Sequence, residues 1–498
     1  MRLRILLLFT LFCCKSMLFS QISIPNPSKS DFTGTLSFLA SDWMEGRGAT
    51  QKGGFMASEY VASMMSLYQL KPYRSEDYFQ DFKVLEHTIT KTAFEIKKGK
   101  ETITLSPETD FRVKPISTSL QKNAQVVFAG YGLSAPNGSY NDYKNLDVKN
   151  KIVVIVKGFP SHQDTTSKVY QKFKKLFPEE NNLEEIKLQN AINKGAITLI
   201  IVDSKANFKT KESKENDVFH SLETTSNVSI PIFRLNKSAG EKLLSETKIS
   251  LETFEKKALK LQTSSSLLKN TEINFSIELQ TETFPVRNVL GMIQGKDSTK
   301  TIIVGAHYDH LGIIKDSIYN GADDNASGTS GMLALAKNWS ESKIKPPYNI
   351  LFASWTAEEM GLLGSEYFVQ NFDFSKQKIL LAINMDMISR SAPEDKLQRI
   401  LSIGTQKEDG NLRKMSTEIN AKLQNPFSLD LWETNGHSGS DYASFTAKGI
   451  PIMTFFSGFH DDYHTPNDKA SKVDFDKIKD VLFIVNSSLS KFLENPNN

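Results

Sequence analysis

From residue 286 onward, short apolar runs alternate with segments whose apolar positions recur at helical spacing. NVLGMIQG, TIIVGA, YNILFASW, KILLAINM and IPIMTFF are apolar and β-branched, as buried strands are. SGTSGMLALAKNWSES and SEYFVQNF fall between them with a helical pattern. This alternation predicts an α/β domain over 275–498, with a mixed, mainly parallel central sheet flanked by helices on both faces. Upstream, FTGTLSFLASDWMEGRG and GGFMASEYVASMMSLYQL predict helices within 31–72 around a glycine-bounded turn, and 80–115 alternates in strand fashion. Residues 21–115 read as the N-terminal part of that same domain. Between 120 and 265 the texture changes to short β-branched runs (AQVVFAGYGLS, KIVVIVKGFP, AITLIIVDS, IPIFRLN), with turns and lysine-rich helical stretches between them. A β-rich α/β insert with its own core is expected there. No repeat of fixed period is present.

The first 20 residues change how the rest is read. Arg2 and Arg4 precede the apolar run ILLLFTLFCC, and small residues follow near Ser20 and Gln21. Residues 1–20 are therefore expected to be a signal peptide cleaved there, which places the mature protein in the periplasm or outside the cell. The run is too short to span a bilayer, and no later run is long and apolar enough for stable membrane insertion. Cys13 and Cys14, the only cysteines, both lie inside this segment. A metal site in the mature chain must then use His, Asp and Glu. Without Arg2, Arg4 and Lys15, the 60 basic residues fall to match the 57 acidic ones. Charge balance of this kind argues against a nucleic-acid partner.

In α/β sheets, sites gather outside the carboxyl ends of the strands, and the candidate chemistry of this chain falls at such places. TIIVGA runs into His307 and Asp309; YNILFASW runs into Glu358 and Glu359; KILLAINM ends at Asp386; IPIMTFF reaches His464 through a loop. Asp323 and Asp324 stand in the turn NGADDNASG, just before a helix. Each alone has an ordinary reading as a helix cap, a first-turn acid or a strand-end polar residue. Five such clusters in one domain, with five of the eight histidines between 307 and 464, are better explained by metal binding. His307, Asp324, Glu359, Asp386 and His464 supply five oxygen and nitrogen ligands, a set suited to a two-zinc hydrolytic centre. Glu358 then remains as a base beside a ligand. Asp309, two residues from His307, is placed to orient its imidazole.

HYDHLG, NGADDNASG, the paired glutamates of WTAEEMGLLGS, the aspartate of NMDMIS, and YHTPND together resemble, in order, the motifs of the M28 family of zinc-dependent aminopeptidases and carboxypeptidases. LASDWMEGRG resembles an N-terminal motif of secreted bacterial members. The segment 120–265 resembles the protease-associated (PA) domain inserted in many of them. The resemblance implies the zinc exopeptidase fold and two zinc ions per chain. Asp324, chosen over Asp323 on this ground, would bridge them. Glu359 and His464 would complete one ion, and His307 and Asp386 the other. It further implies Glu358 as general base and acid, Asp309 as the residue orienting His307, and peptides as substrates. An aminopeptidase is the leading expectation, with carboxypeptidase or dipeptidase activity as alternatives. A glutaminyl cyclase, which typically uses one zinc, and a receptor-like protein that has lost ligands both fit the complete ligand set less well. Where family members often carry histidine after the Ser-Asp pair, this chain has Tyr442, which bears on substrate preference. His310, His437 and His460 receive no ligand role; the last two are expected as solvated loop histidines, with a place in the pocket lining as the alternative.

Overall fold

The computed structural model describes residues 24–496 apart from 75, 108, 136, 163, 178–182, 209–217, 224–228, 246–249, 261–262 and 435–438. The expected signal segment and His437 lie outside the described residues. The chain divides into two compact units, Met1–Phe82 with Pro285–Asn498, and Lys83–Phe284.

The first unit is an α/β layer structure. Its strands are the end of β1 (Ser265–Ile293), β2 (Asp297–His307), β3 (Tyr348–Trp355), β4 (Lys378–Met385), β5 (Ile400–Thr405), β6 (Ser428–Glu433) and β7 (Ile452–Phe456). Their order is β6-β5-β7-β4-β2-β3-β1. β2 pairs in parallel with β3 and β4, and β4 in parallel with β7, while β1 and β5 run antiparallel to their neighbours β3 and β7. The expected mixed, mainly parallel sheet is thus present. β5 and β6 carry too little apolar periodicity to stand out in the sequence, and the latter is half exposed at the edge.

Side-chain alternation assigns the two faces. Ile302 and Val304 of β2, Ile350 and Phe352 of β3, and Leu381 and Ile383 of β4 face a layer of α1 (Lys29–Leu39), α2 (Lys52–Leu67), α3 (Gly328–Glu341), α5 (Gly410–Asn420) and α7 (Phe475–Glu494). Ile303, Leu351, Ala353 and Trp355 face α4 (Leu363–Gln370) and α6 (Tyr442–Thr446) on the other side. α3 is the central helix, apolar almost all round because it is buried almost all round. Asp474 caps α7 by accepting the amides of Asp476 and Lys477.

The second unit has its own core. Leu120–Ala129, Ile152–Val156, Thr198–Val202 and Ile232–Leu235 pair in parallel in that order. Their alternate residues feed two apolar clusters, one with Phe128, Val154 and Ile200, the other with Val127, Val153 and Ile201. None of the candidate site residues lies in this unit.

Candidate metal centre

Four parallel strands deliver their carboxyl ends to one rim of the sheet. β2 ends at His307; Glu358 and Glu359 follow β3; Asp386 follows β4; the loop after β7 carries His464. Asp324 reaches the same rim from the turn before α3. The backbone is bent to do this. Ala357, Met387 and His464, each at or beside one of these groups, have φ of 55°, 52° and 52°. Left-handed backbone at residues other than glycine costs of order 1–3 kcal/mol each and persists where the surroundings impose it. Gly321, at φ 55°, opens the Asp324 turn, and a side chain there would strike the Asp324 carbonyl and the His310 ring.

Two ligand groups result, and they share Asp324. His307, Asp324 and Asp386 form one; His310, Asp324, Glu359 and His464 form the other. His307 Nε2 lies 3.4 Å from Asp324 Oδ1 and 3.3 Å from Asp386 Oδ1. On the opposite side of the carboxylate, Asp324 Oδ2 lies 3.1 Å from His464 Nε2 and 3.6 Å from His310 Nδ1. Glu359 reaches His310 Nδ1 with one oxygen at 2.8 Å and His464 Nε2 with the other at 3.2 Å. Within each group the ligand atoms lie within 4.8 Å of one another. Zinc bonds of about 2.0–2.2 Å need ligand atoms separated by at most roughly twice that length. His464 Nε2, though close to two carboxylates, is aligned in a hydrogen bond with neither. It is pointed as a ligand atom is.

Glu358 belongs to neither group; its Oε2 is 4.0 Å from His307 Nε2 and its side chain faces the adjoining cavity. Asp309 is fully buried. Its carbonyl oxygen stands 3.1 Å from His307 Nδ1, while its carboxylate is at 3.7 Å and accepts the Glu358 amide. Asp323 does different work from Asp324, accepting the amides of Ser389 and Arg390. His460 is buried beside Asp323 and Asp468, at 3.5 and 3.9 Å, and so is not the solvated loop histidine expected.

The electrostatics ask for cations. Burial pushes the carboxyls of Asp309 and Asp441 up to about 7 and that of Asp323 up to about 8, the last with help from Asp468. Burial drives Glu358 well above its ordinary range, and Asp386, Asp441 and Glu359 add to the effect. Burial also opposes the charged forms of Glu359 and His464, but their contacts win. His310 and His464 hold Glu359 well below the carboxylate range, and Asp324 and Glu359 push His464 up to about 10. Carboxylates outnumber cationic groups in this largely buried space, an imbalance that divalent ions would remove.

His310, Asp441, Asp468 and Arg47 belong to this neighbourhood without having been singled out for it. His310 is a member of the second ligand group. Asp441, one residue before Tyr442, is fully buried with neither oxygen hydrogen-bonded. Asp468 accepts the amides of Asp323 and Asp324 and so shapes the turn. Arg47, from LASDWMEGRG, is wholly buried and donates to the carbonyls of Leu39, Tyr308, Asn320 and Gly321. It ties the Asp324 turn to the end of β2. Arg47→Met keeps the stem but leaves four buried carbonyls without donors. It should lower unfolding free energy by about 3–5 kcal/mol in urea titration, the range for breaking buried charged contacts. A loss under about 1 kcal/mol would mean the carbonyls find other donors.

Comparisons with known proteins agree with this architecture. Residues 288–488 match the model of peptidase family M28, and residues 122–243 match the PA domain. Leupeptin-inactivating enzyme 1 of Streptomyces exfoliatus is 31% identical over 34% of this chain and 36% of its own length. The probable lipoprotein aminopeptidase LpqL of Mycobacterium tuberculosis is 26% identical over 65% of this chain and 54% of its own. The chain therefore spans about a third to a half of the length of these relatives. An aminopeptidase from Aneurinibacillus sp. strain AM-1 shares the fold over 93% of both chains, with a TM-score of 0.52 and 20% identity.

Proposed function

We propose that this chain, which matches the model of peptidase family M28 over residues 288–488 and the PA domain over 122–243, is a metallo-exopeptidase removing N-terminal residues from peptides at a centre of two zinc ions. The observation that carries this reading is the two-sided Asp324, whose oxygens face His307 and Asp386 on one side and His464, Glu359 and His310 on the other. When bound, the ions would polarise the scissile carbonyl and acidify water. His307, Asp324, Glu359, Asp386 and His464 are the ligands in this reading, and Asp309 orients His307. Glu358 faces the cavity beside them and takes a proton from the attacking water, then returns it to the leaving amine. Burial raises its proton affinity, and the positive charge of bound ions would lower it again. Peptides rather than nucleic acids are the partners in this reading, and the sequence of the first 20 residues supports export. Among the described residues, no helix is long and apolar enough to cross a membrane.

A short peptide tests the direction of attack. Acetylating its N-terminus should abolish cleavage, and amidating its C-terminus should change it little. The reverse pattern would identify a carboxypeptidase, while dependence on both free ends would identify a dipeptidase. Cleavage of a doubly blocked peptide would reject exopeptidase action.

A further inference from the structure

Beyond the metal-facing acids, a cavity of about 390 Å³ runs along the α4–α6 face of the sheet toward the β6 edge. Two rows of register partners build it. In the outer row Ser402 is paired with both Phe456 and Asp430. Asp386, one step beyond the Met385–Phe455 pair, continues the row to the metal centre. In the inner row Thr454 and Trp432 flank Gly404. A side chain on Gly404 would collide with the indole at 2.5 Å, so the glycine lets Trp432 lie flat as the cavity floor. Register partners point their side chains to the same face, so Asp386 and Asp430 face one trough from its two ends. Three strand spacings separate them, roughly 14 Å.

Between these ends the trough is mostly apolar, with the neutral hydroxyls of Ser402, Ser440, Thr454, Tyr442 and Tyr463 among its described lining residues. Among its described lining residues there is no Lys, Arg or His, and Asp430 is the only charged group besides the metal-facing acids. The Asp430 carboxylate is fixed by the Ser402 hydroxyl at 2.5 Å. We propose that this trough receives the side chain of the first residue of the substrate and selects lysine or arginine, with the cationic tip at Asp430. The inference rests on the aminopeptidase reading and adds its substrate class. Only Lys and Arg pair a long apolar stem with a terminal cation, and such stems bury readily on apolar surface. Trp432 and Phe456 offer ring faces to the cation on its way to the carboxylate. Leucine is too short to reach Asp430, and glutamate would bring like charge against it.

The test measures kcat/KM for Arg, Lys, Met and Glu p-nitroanilides with the zinc-loaded full chain and two variants. The wild type should favour Arg and Lys over Met and exclude Glu. Asp430→Asn should lower the Arg-to-Met ratio at least about tenfold, the order expected when a charge-assisted hydrogen bond is lost. Asp430→Lys should raise Glu above Arg. Asp430 is solvent-exposed, and unchanged melting curves verify that both variants fold. An Arg-to-Met ratio unmoved by either variant overturns this inference alone. Failure of the wild type to hydrolyse any of the four overturns the aminopeptidase reading and this inference with it.

Discussion

Glu358→Gln is expected to reduce turnover at least ~10²-fold while zinc content stays at the wild-type level. The amide keeps the size and polarity of the side chain but cannot take a proton. Glu358 stands in neither ligand group, and its carboxylate is 4.0 Å from His307 Nε2. Metal retention is therefore expected alongside the lost rate. The neighbouring substitution should behave in the opposite way. Glu359 contacts both His310 and His464, so Glu359→Ala should release the ion on that side. Activity assays paired with elemental analysis separate the two cases. If Glu358→Gln emptied the site and Glu359→Ala did not, the base and the ligand would have to be exchanged.

Asp324→Ala should have the larger structural effect, because one carboxylate serves both groups. Elemental analysis should find about two zinc ions in the wild type and less than one in the variant, with activity lost as well. Folding supplies a readout independent of catalysis. Ions that bind only the folded chain stabilise it by about 4 kcal/mol when free metal is a thousandfold above its dissociation constant. Chelation should thus lower the melting temperature of the wild type and leave that of Asp324→Ala nearly unchanged. The ligands must be deprotonated to bind, and Asp324 itself is pushed above the ordinary carboxylate range by burial and by Glu359. Zinc should accordingly be lost as pH falls, and the melting temperature gained from metal should vanish with it. A chelator-treated wild type with full activity and an unchanged melting curve would remove the metal from the mechanism.

Much of the first unit is legible in the chain because its signals are local. A strand buried on both faces needs consecutive apolar residues, so β2, β3, β4 and β7 stand out by composition. Their parallel course then makes the residue after each run a rim residue, so that His307, Glu358, Glu359 and Asp386 can be located without coordinates. α3 is equally plain, since its small and apolar residues begin immediately after the Asp324 turn. β5 and β6 are not plain, since one pairs against the direction of its neighbour β7 and the other lies half exposed at an edge where polar residues are tolerated.

What the chain by itself determined is the set of elements and the groups that sit at their ends, for both follow from patterns a few residues long. Which groups meet was decided only by tertiary packing. His310 is three residues from His307 in sequence, yet its role follows from Glu359 reaching it from the loop after β3, a contact no local pattern encodes. Arg47 becomes structural only because Asn320 and Gly321 bring their carbonyls to it from more than 270 positions away. His460 is buried beside Asp323 and Asp468, and the trough at Asp430 exists because β6 joins the sheet in register with Ser402. Periodicity reports how a residue faces its own element. It carries nothing about which distant side chain closes over it, and there the free energy of burying a charge selects the partner.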